Sequence, residues 1–391
     1  MEEGILHAIQ GYMYPNEVEL QWSILIVLYP FTTGLVAGAF ILASLERVFN
    51  VAAVKPTYRL ALLSALAFLL VSPLPLQLHL GHPERSIEMY LTPHTSSAMA
   101  MFGFIYLWYL MAVLVLEIWL DYRKDMVLMA RSETGWKKTL YRILTLGVDN
   151  ISEESLRIDD KLGRFITIVG IPSALLLHGY VGFIFGSVKA NPWWSTPVMP
   201  IVFLFSAIVS GIALVLLMYM LVCFLKGIPI DMPCVDTIAR YLMYAFLVDF
   251  SLEMLDLIHR IYEADESFKS LDFMVHTRLY TSSLVQIVFG TIIPIAMLAF
   301  VQLVKLSDAA RKGIYTLAGF LTLMGIFAMR WNVVIGGQLF SKSFLGYTTY
   351  KMAFATKEGL LPAILLMILP FVILWGLVKL LPPFDEEKAA V

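Results

Sequence analysis

Apolar runs long enough to cross a bilayer core of ~30 Å recur nine times along the chain, at about 20–46, 58–80, 96–120, 162–188, 198–225, 236–262, 279–305, 312–335 and 358–381. The pattern predicts an all-α polytopic membrane protein with about nine transmembrane helices, within a range of eight to ten. The amphipathic N-terminus and the 336–357 loop are the places where a span is most easily gained or lost. One span breaks the apolar pattern. In VDFSLEMLDLIHR (248–260), Asp249, Glu253 and Asp256 recur at i, i+4 and i+7, and so share one helix face. An acid at the bilayer centre costs roughly 2.5–3.5 kcal/mol on insertion scales. Such a face is usually tolerated only toward a bundle interior or a wet cavity, where carboxyls handle protons, ions or a polar ligand.

Charge sets the expected orientation. The segment 121–161 carries Arg123, Lys124, Arg131, Lys137, Lys138, Arg142, Arg157 and Lys161, with Arg47 and Lys55 in the first loop and Arg311 and Lys312 in the seventh. The N-terminal tail before the first span has neither Lys nor Arg. The positive-inside rule then puts the N-terminus outside and the C-terminus in the cytoplasm, as an odd number of spans requires, with Trp193 and Trp194 at the outer interface. The expected location is the cytoplasmic (inner) membrane. The acidic start lacks the basic n-region of a cleavable leader.

Composition narrows the class. The chain of 391 residues is 59% hydrophobic and 15% charged, against about 25% charged in soluble domains. A net charge of −2 argues against nucleic acid as a partner. The thiols are Cys223 and Cys234, without a C-x-x-C or C-x-x-C-H motif, so an iron–sulfur cluster or a c-type haem of its own is not expected.

A weak internal repeat suggests a parallel duplication. Spans one and five follow Pro30 and Pro200 with small residues, Thr33-Gly34 to Gly38 and Ser206 to Ser210-Gly211. Spans two and six open near Arg59 and Arg240 and end at His79 and His259, and spans three and seven open with TSSAMAMFG and TSSLVQIVFG. The expected organisation is an extracytoplasmic segment 1–19, a first four-helix bundle 20–188 with cytoplasmic loop 121–161, a second bundle 189–335, and an outer loop, ninth helix and tail 336–391.

Beyond the acidic face, His178 in LLLHGYVG lies near mid-membrane, where burying an imidazole favours a ligand or proton role over a merely packed residue. Arg330 in FAMRWNVVIGGQ stays charged and must face a carboxylate or polar ligand. Glu253 or Asp256 is its expected structural partner, with Asn332 and Gln338 adding amides further out. His79, His82, Glu84 and Arg85 in HLGHPERS do not fit a zinc spacing and read as a tight turn. Glu46 and Glu117 read as interfacial. Only His178 lies deep, which argues against a bis-histidine haem.

The run LHGYVGFIFGSVKANPWWSTPVMPIVFLFSAIVSGIALVLL (177–217), the HLGHPER turn, MRWN around Arg330 and the terminal LLPP resemble the NrfD/polysulfide-reductase-C family of membrane quinone-reacting subunits. His82 stands where the family's LGRPER-like loop has an arginine. Within the family, the length, the MRWNVVIGGQ run and the basic third loop are most similar to the DsrP group of DsrMKJOP-type complexes, associated with dissimilatory sulfite reduction. The resemblance implies an integral subunit without haem or cluster. It would bind menaquinone or another quinone toward the outer side and exchange electrons with an extracytoplasmic ferredoxin-like iron–sulfur subunit. A multihaem cytochrome c, a haem b membrane subunit and a cytoplasmic iron–sulfur subunit are further expected partners. On this reading His178, Glu253 and Asp249 transfer protons, while His178, Tyr180, Arg330, Asn332 and Asp256 contact the quinone. The alternative from another class is a secondary transporter or proton-translocating channel using the same acids.

Overall fold

The computed structural model describes residues 9–92, 94–262 and 268–384. Eight helices are long and apolar enough to cross a membrane: α1 (Ile24–Arg47), α2 (Ala52–His79), α3 (Ala100–Ser132), α5 (Glu153–Gly186), α6 (Met199–Lys226), α9 (Tyr280–Leu303), α10 (Asp308–Gln338) and α11 (Leu360–Leu380). Helix α7 (Met232–Tyr262), of comparable length, carries the acidic face and packs on α6 and α9. The shorter helices between spans include α4 (Gly135–Leu144) and α8 (Phe268–Thr277). The described residues thus bear out the all-α polytopic expectation, with a single strand pair, β1 (Gln10–Gly11) against β2 (Gly346–Tyr347), at one rim.

Local chemistry sets the ends. Ser23, Ser152 and Ser307 cap α1, α5 and α10 by accepting from the backbone N–H of Leu25, Ser155 and Ala310. Gly227, at φ +67°, closes α6 in a left-handed conformation. In α1, Pro30 withdraws a donor from the ladder, and the Thr32 and Thr33 hydroxyls bond back to the Leu28 and Tyr29 carbonyls.

Packing places α1 at the centre, in contact with α2, α5, α6 and α10. Around it α3 packs on α5, α6 on α7 and α10, α9 on α10, and α11 on α2. The α1–α6 seam is backbone against backbone. A Cβ on Gly38 would fall 2.1 Å from the Ala207 carbonyl oxygen, and one on Gly211 would fall 2.4 Å from the Gly38 Cα. Small residues at such crossings let dispersion and close packing replace the absent hydrophobic force between helices in lipid. Two spans widen locally into π-helix, α3 over Tyr109–Val115 and α9 over Val285–Ile292.

Three expectations are corrected. The basic segment 121–161 is not a loop throughout. Helix α3 continues to Ser132 and α5 begins at Glu153, with α4 between them. Arg123, counted among the charges of that loop, is 1% exposed and bonds Asp159, Ser155 Oγ and the Asn150 carbonyl. Glu117 is not interfacial, because its position on α3 faces α5 and α2 and leaves it 1% exposed.

Candidate functional site

The site lies where α5, α6, α7, α9 and α10 converge below the 191–196 turn. His178, near the end of α5, is fully buried. Arg330 Nη2 donates to its Nε2 at 3.0 Å and to Ser206 Oγ at 2.7 Å. A guanidinium has only donors, so Nε2 must accept, and the ring proton sits on Nδ1. Nδ1 in turn lies 3.1 Å from Thr33 Oγ1, whose own hydrogen reaches the Tyr29 carbonyl at 3.0 Å. His178 is therefore neutral with both nitrogens engaged, and its ring stacks on Phe203 at 5.7 Å. Arg330 also covers Phe203, its guanidinium carbon 3.9 Å from the ring centre. Neither Glu253 nor Asp256 bonds Arg330, contrary to the expected ion pair. Asp256 accepts from Thr196 Oγ1 at 2.6 Å and from Arg260 Nε at 3.0 Å, and Arg260 Nη1 holds the Pro192 carbonyl at 2.5 Å. The helix spacing turns Asp256 toward the 191–196 turn and leaves Arg330 a full element away, on α10. Asp256 thus latches α7 to that turn.

Glu253 has a different neighbour. Gln286 Nε2 donates to its carboxylate at 3.2 Å, and Gln286 Oε1 accepts from Asn332 Nδ2 at 2.8 Å. This three-residue line spans α7, α9 and α10. Gln286 lies in the π-helical stretch of α9, where the extra residue in the turn re-aims a side chain. That stretch meets α10 without side chains between them, since a Cβ on Gly290 would fall 2.1 Å from the Gly325 Cα. Trp193 and Trp194, expected at the outer interface, sit over the end of α10. Their indole N–H groups donate to the Asn332 and Val333 carbonyls at 2.9 and 2.6 Å, covering the end of α10.

Above the line is a cavity of about 400 Å³. Its walls include Met199, Val202, Met254, Leu257, Ile287 and Met329, and its polar groups include Glu253, Gln286, Asn332 and the Trp193 side chain. Asn332 Oδ1 and Asp249 Oδ1 are buried without a hydrogen-bond partner. Such an orphan costs about 1–3 kcal/mol unless something donates to it. Of the predicted residues, Glu253, Asp256 and Asn332 line the cavity, whereas His178, Tyr180, Asp249 and Arg330 do not. Met329 joins the two groups, lining the cavity while its sulfur accepts from Arg330 Nη1 at 3.2 Å. Gln286 and Thr196 escaped the sequence reading, and Trp193 was read only as an interface residue. Gln286 was legible as an amide inside an apolar span, in TSSLVQIVFG.

His79 and His82, flagged in the turn after α2, each face a glutamate, Glu358 at 3.0 Å and Glu84 at 2.9 Å. Among the described residues no three His, Cys, Asp or Glu side chains gather as a metal site.

A multi-helix membrane domain with an apolar cavity and a few convergent polar groups is the class that fold and site define. The family model described as "Polysulphide reductase, NrfD" matches residues 14–342, so the chain belongs to the NrfD family. It is 29% identical over 388 residues to a selenate reductase subunit of Mesobacillus selenatarsenatis, covering 94% of this chain and 87% of that one. It is 28% identical to a putative dimethyl sulfoxide reductase membrane subunit of Halobacterium salinarum, over 51% of this chain and 43% of that protein. It is 27% identical to protein NrfD of Escherichia coli, over 51% of this chain and 59% of that protein.

Proposed function

We propose that this chain is the quinone- or quinol-reactive membrane subunit of a multisubunit reductase-type electron-transfer complex. It would exchange electrons between menaquinone, or another membrane quinone, and an extracytoplasmic iron–sulfur subunit. The observation that carries the reading is the apolar cavity whose polar groups converge on one line, Glu253–Gln286–Asn332, with the Asn332 Oδ1 left to accept. A quinone ring is flat and apolar with two oxygens that exchange protons, and those walls and donors suit it. The names of the relatives, one a subunit of a selenate reductase and another a membrane subunit of a putative dimethyl sulfoxide reductase, support the same assembly.

Oxidation of a quinol releases two electrons and two protons. Glu253 is placed to take a proton at the cavity wall, and Asn332 and Gln286 to orient the ring oxygens. Asp249 lies one helical turn behind Glu253 on the same face, a second proton acceptor away from the cavity. The Arg330–His178 pair supplies positive charge behind Met329 and holds α5, α6 and α10 in register; Tyr180 and Asp256 frame the outer end. Electrons leave for a cluster held by the partner subunit. We further propose, on the MRWNVVIGGQ run and the basic segment between α3 and α5, a complex of the DsrMKJOP type serving sulfur metabolism. In that assembly a multihaem cytochrome c, a haem b subunit and a cytoplasmic iron–sulfur subunit would be neighbours. The positive-inside distribution assigns the cavity end of the bundle to the outer side.

Binding of a quinone analogue tests the reading, followed by quenching of tryptophan fluorescence in the purified protein. Saturable quenching that is lost in Trp193→Phe and weakened about tenfold in Asn332→Ala, the loss of one hydrogen bond to the ligand, is the expected result. No saturable binding in the folded wild type would favour the transporter class.

A further inference from the structure

A second buried carboxyl lies in the opposite half of the membrane domain. Glu117, on α3 just past the π-helical stretch, is 1% exposed. Its Oε1 accepts from Tyr58 Oη at 3.0 Å and from Thr167 Oγ1 at 2.8 Å, and its Oε2 has no partner. Two more buried oxygens are orphaned among the neighbouring helices, Ser64 Oγ on α2 and Tyr109 Oη on α3. Internal water commonly satisfies buried oxygens that have no protein partner. Tyr58 is the link to solvent. It lines a cavity of about 680 Å³ with Glu46, Arg47, Lys55, Arg59 and Asp121, bounded by the turns at the basic ends of the helices. The charged groups that act on Glu117 are Arg47 from α1 and Asp121 from α3 itself. Arg59 is bound to Asp121 and Asp125, and Arg47 to Asp160. No cation bonds Glu117 itself among the described residues. This site is remote from the quinone cavity. On α5 alone, Thr167 and His178 are about 16 Å apart at ~1.5 Å per residue.

We propose that Glu117 is a proton-binding site of the basic face, loaded from the 680 Å³ cavity through the Tyr58 hydroxyl. Tyr58 passes its proton to Glu117 and takes another from cavity water, so one proton moves and no electron does. Tyr58 donates to the ionised carboxylate, and Thr167, whose one hydroxyl hydrogen can turn from the Gly163 carbonyl at 2.9 Å, adds a second donor, which lets it exist without an ion pair. The orphaned Oε2 is the position for the added proton, with internal water to accept from it. A carboxyl so placed gives the basic side of the membrane its own proton acceptor, separate from Asp249 and Glu253.

Infrared difference spectroscopy on the full chain, embedded in vesicles of one orientation and subjected to a pH jump from either side, tests this. The expected result is a protonated-carboxyl C=O band that titrates, disappears in Glu117→Gln and persists in Asp249→Asn with Glu253→Gln. It should respond first to a jump on the basic face. Tyr58→Phe keeps the carboxyl and should slow that response on the order of tenfold or more, the range of a lost proton-transfer group. A band unaffected by Glu117→Gln, a faster response from the face that holds the quinone cavity, or an unchanged rate in Tyr58→Phe would overturn the proposal. Should Glu117→Gln fail to fold, the rate in Tyr58→Phe and the sidedness of the jump decide it.

Discussion

Arg330 is a permanent charge with no carboxylate in contact, held by a neutral histidine, a serine and the face of Phe203. That arrangement needs the planar fork of arginine. A lysine offers one compact ammonium that cannot reach His178 and Ser206 together while covering the ring. Arg330→Lys is expected to lower stability by about 1.5–3 kcal/mol, the worth of a hydrogen bond to a charged group, read as a lowered thermal midpoint. Glu253 makes the opposite case. Its amide partner Gln286 can hold either a carboxylate or an amide, so Glu253→Gln should keep the fold and the analogue-binding affinity. In the assembled complex the same variant should lose quinol turnover by on the order of 10²-fold, as expected for removal of a general base. Turnover within twofold of wild type would exclude Glu253 as the proton acceptor.

At the scale of elements, the site depends on two glycine contacts that let backbones touch. The contact of Gly290 with Gly325 presses the π-helical part of α9 onto α10 and so brings Gln286 within 2.8 Å of Asn332. A methyl at position 290 has no room. Gly290→Ala should separate α9 from α10 by a few tenths of an ångström or more and cost about 1–3 kcal/mol, the usual range for overpacking. It should also weaken analogue binding while the helical circular dichroism stays the same. If binding is unchanged, the Glu253–Gln286–Asn332 line does not set the cavity. The Gly38–Gly211 seam works in the same way between α1 and α6, and through α1 it holds Thr33 against His178.

At the scale of the molecule, the chain's first described segment closes over the cavity end of the bundle. Glu17 accepts from Ser341 Oγ at 2.5 Å, from the Lys342 backbone at 3.1 Å and from Lys342 Nζ at 2.9 Å, while Gln338 bonds the Trp22 backbone. Burial pushes the Glu17 carboxyl up, but the bonds from Ser341 and Lys342 together outweigh it and hold the carboxyl below its ordinary value. A carboxyl depressed on folding adds stability above its unfolded pKa, about 4.3, and loses it as pH falls through the folded value. Residues 9–22 should therefore be protected from hydrogen exchange at neutral pH and lose protection below about pH 4. Glu17→Gln should show weaker protection at neutral pH and a flat profile across that range.

The spans, the acidic face of α7, and the presence of a buried histidine and arginine were legible in the sequence. Each is a property of one helix in a medium that penalises exposed polar groups, and the period of the helix and the cost of burial are local physics. The residues that surround the cavity were less so. Gln286 reaches it from α9, and Trp193 and Thr196 from the 191–196 turn, and nothing in the spacing within either segment says which face meets the other. The partner of Arg330 was decided by how α5, α6 and α10 pack, which put His178 and Ser206 nearer than any acid on α7. Glu117 looked interfacial because it stands near charged residues in the sequence. The tertiary structure buries it because the packing of α3 on α2 and α5 turns that residue toward Tyr58 and Thr167. Hydropathy reports how much of a helix is apolar, whereas the azimuth of each helix about its own axis is settled only by its neighbours. That rotation decides which polar side chains meet.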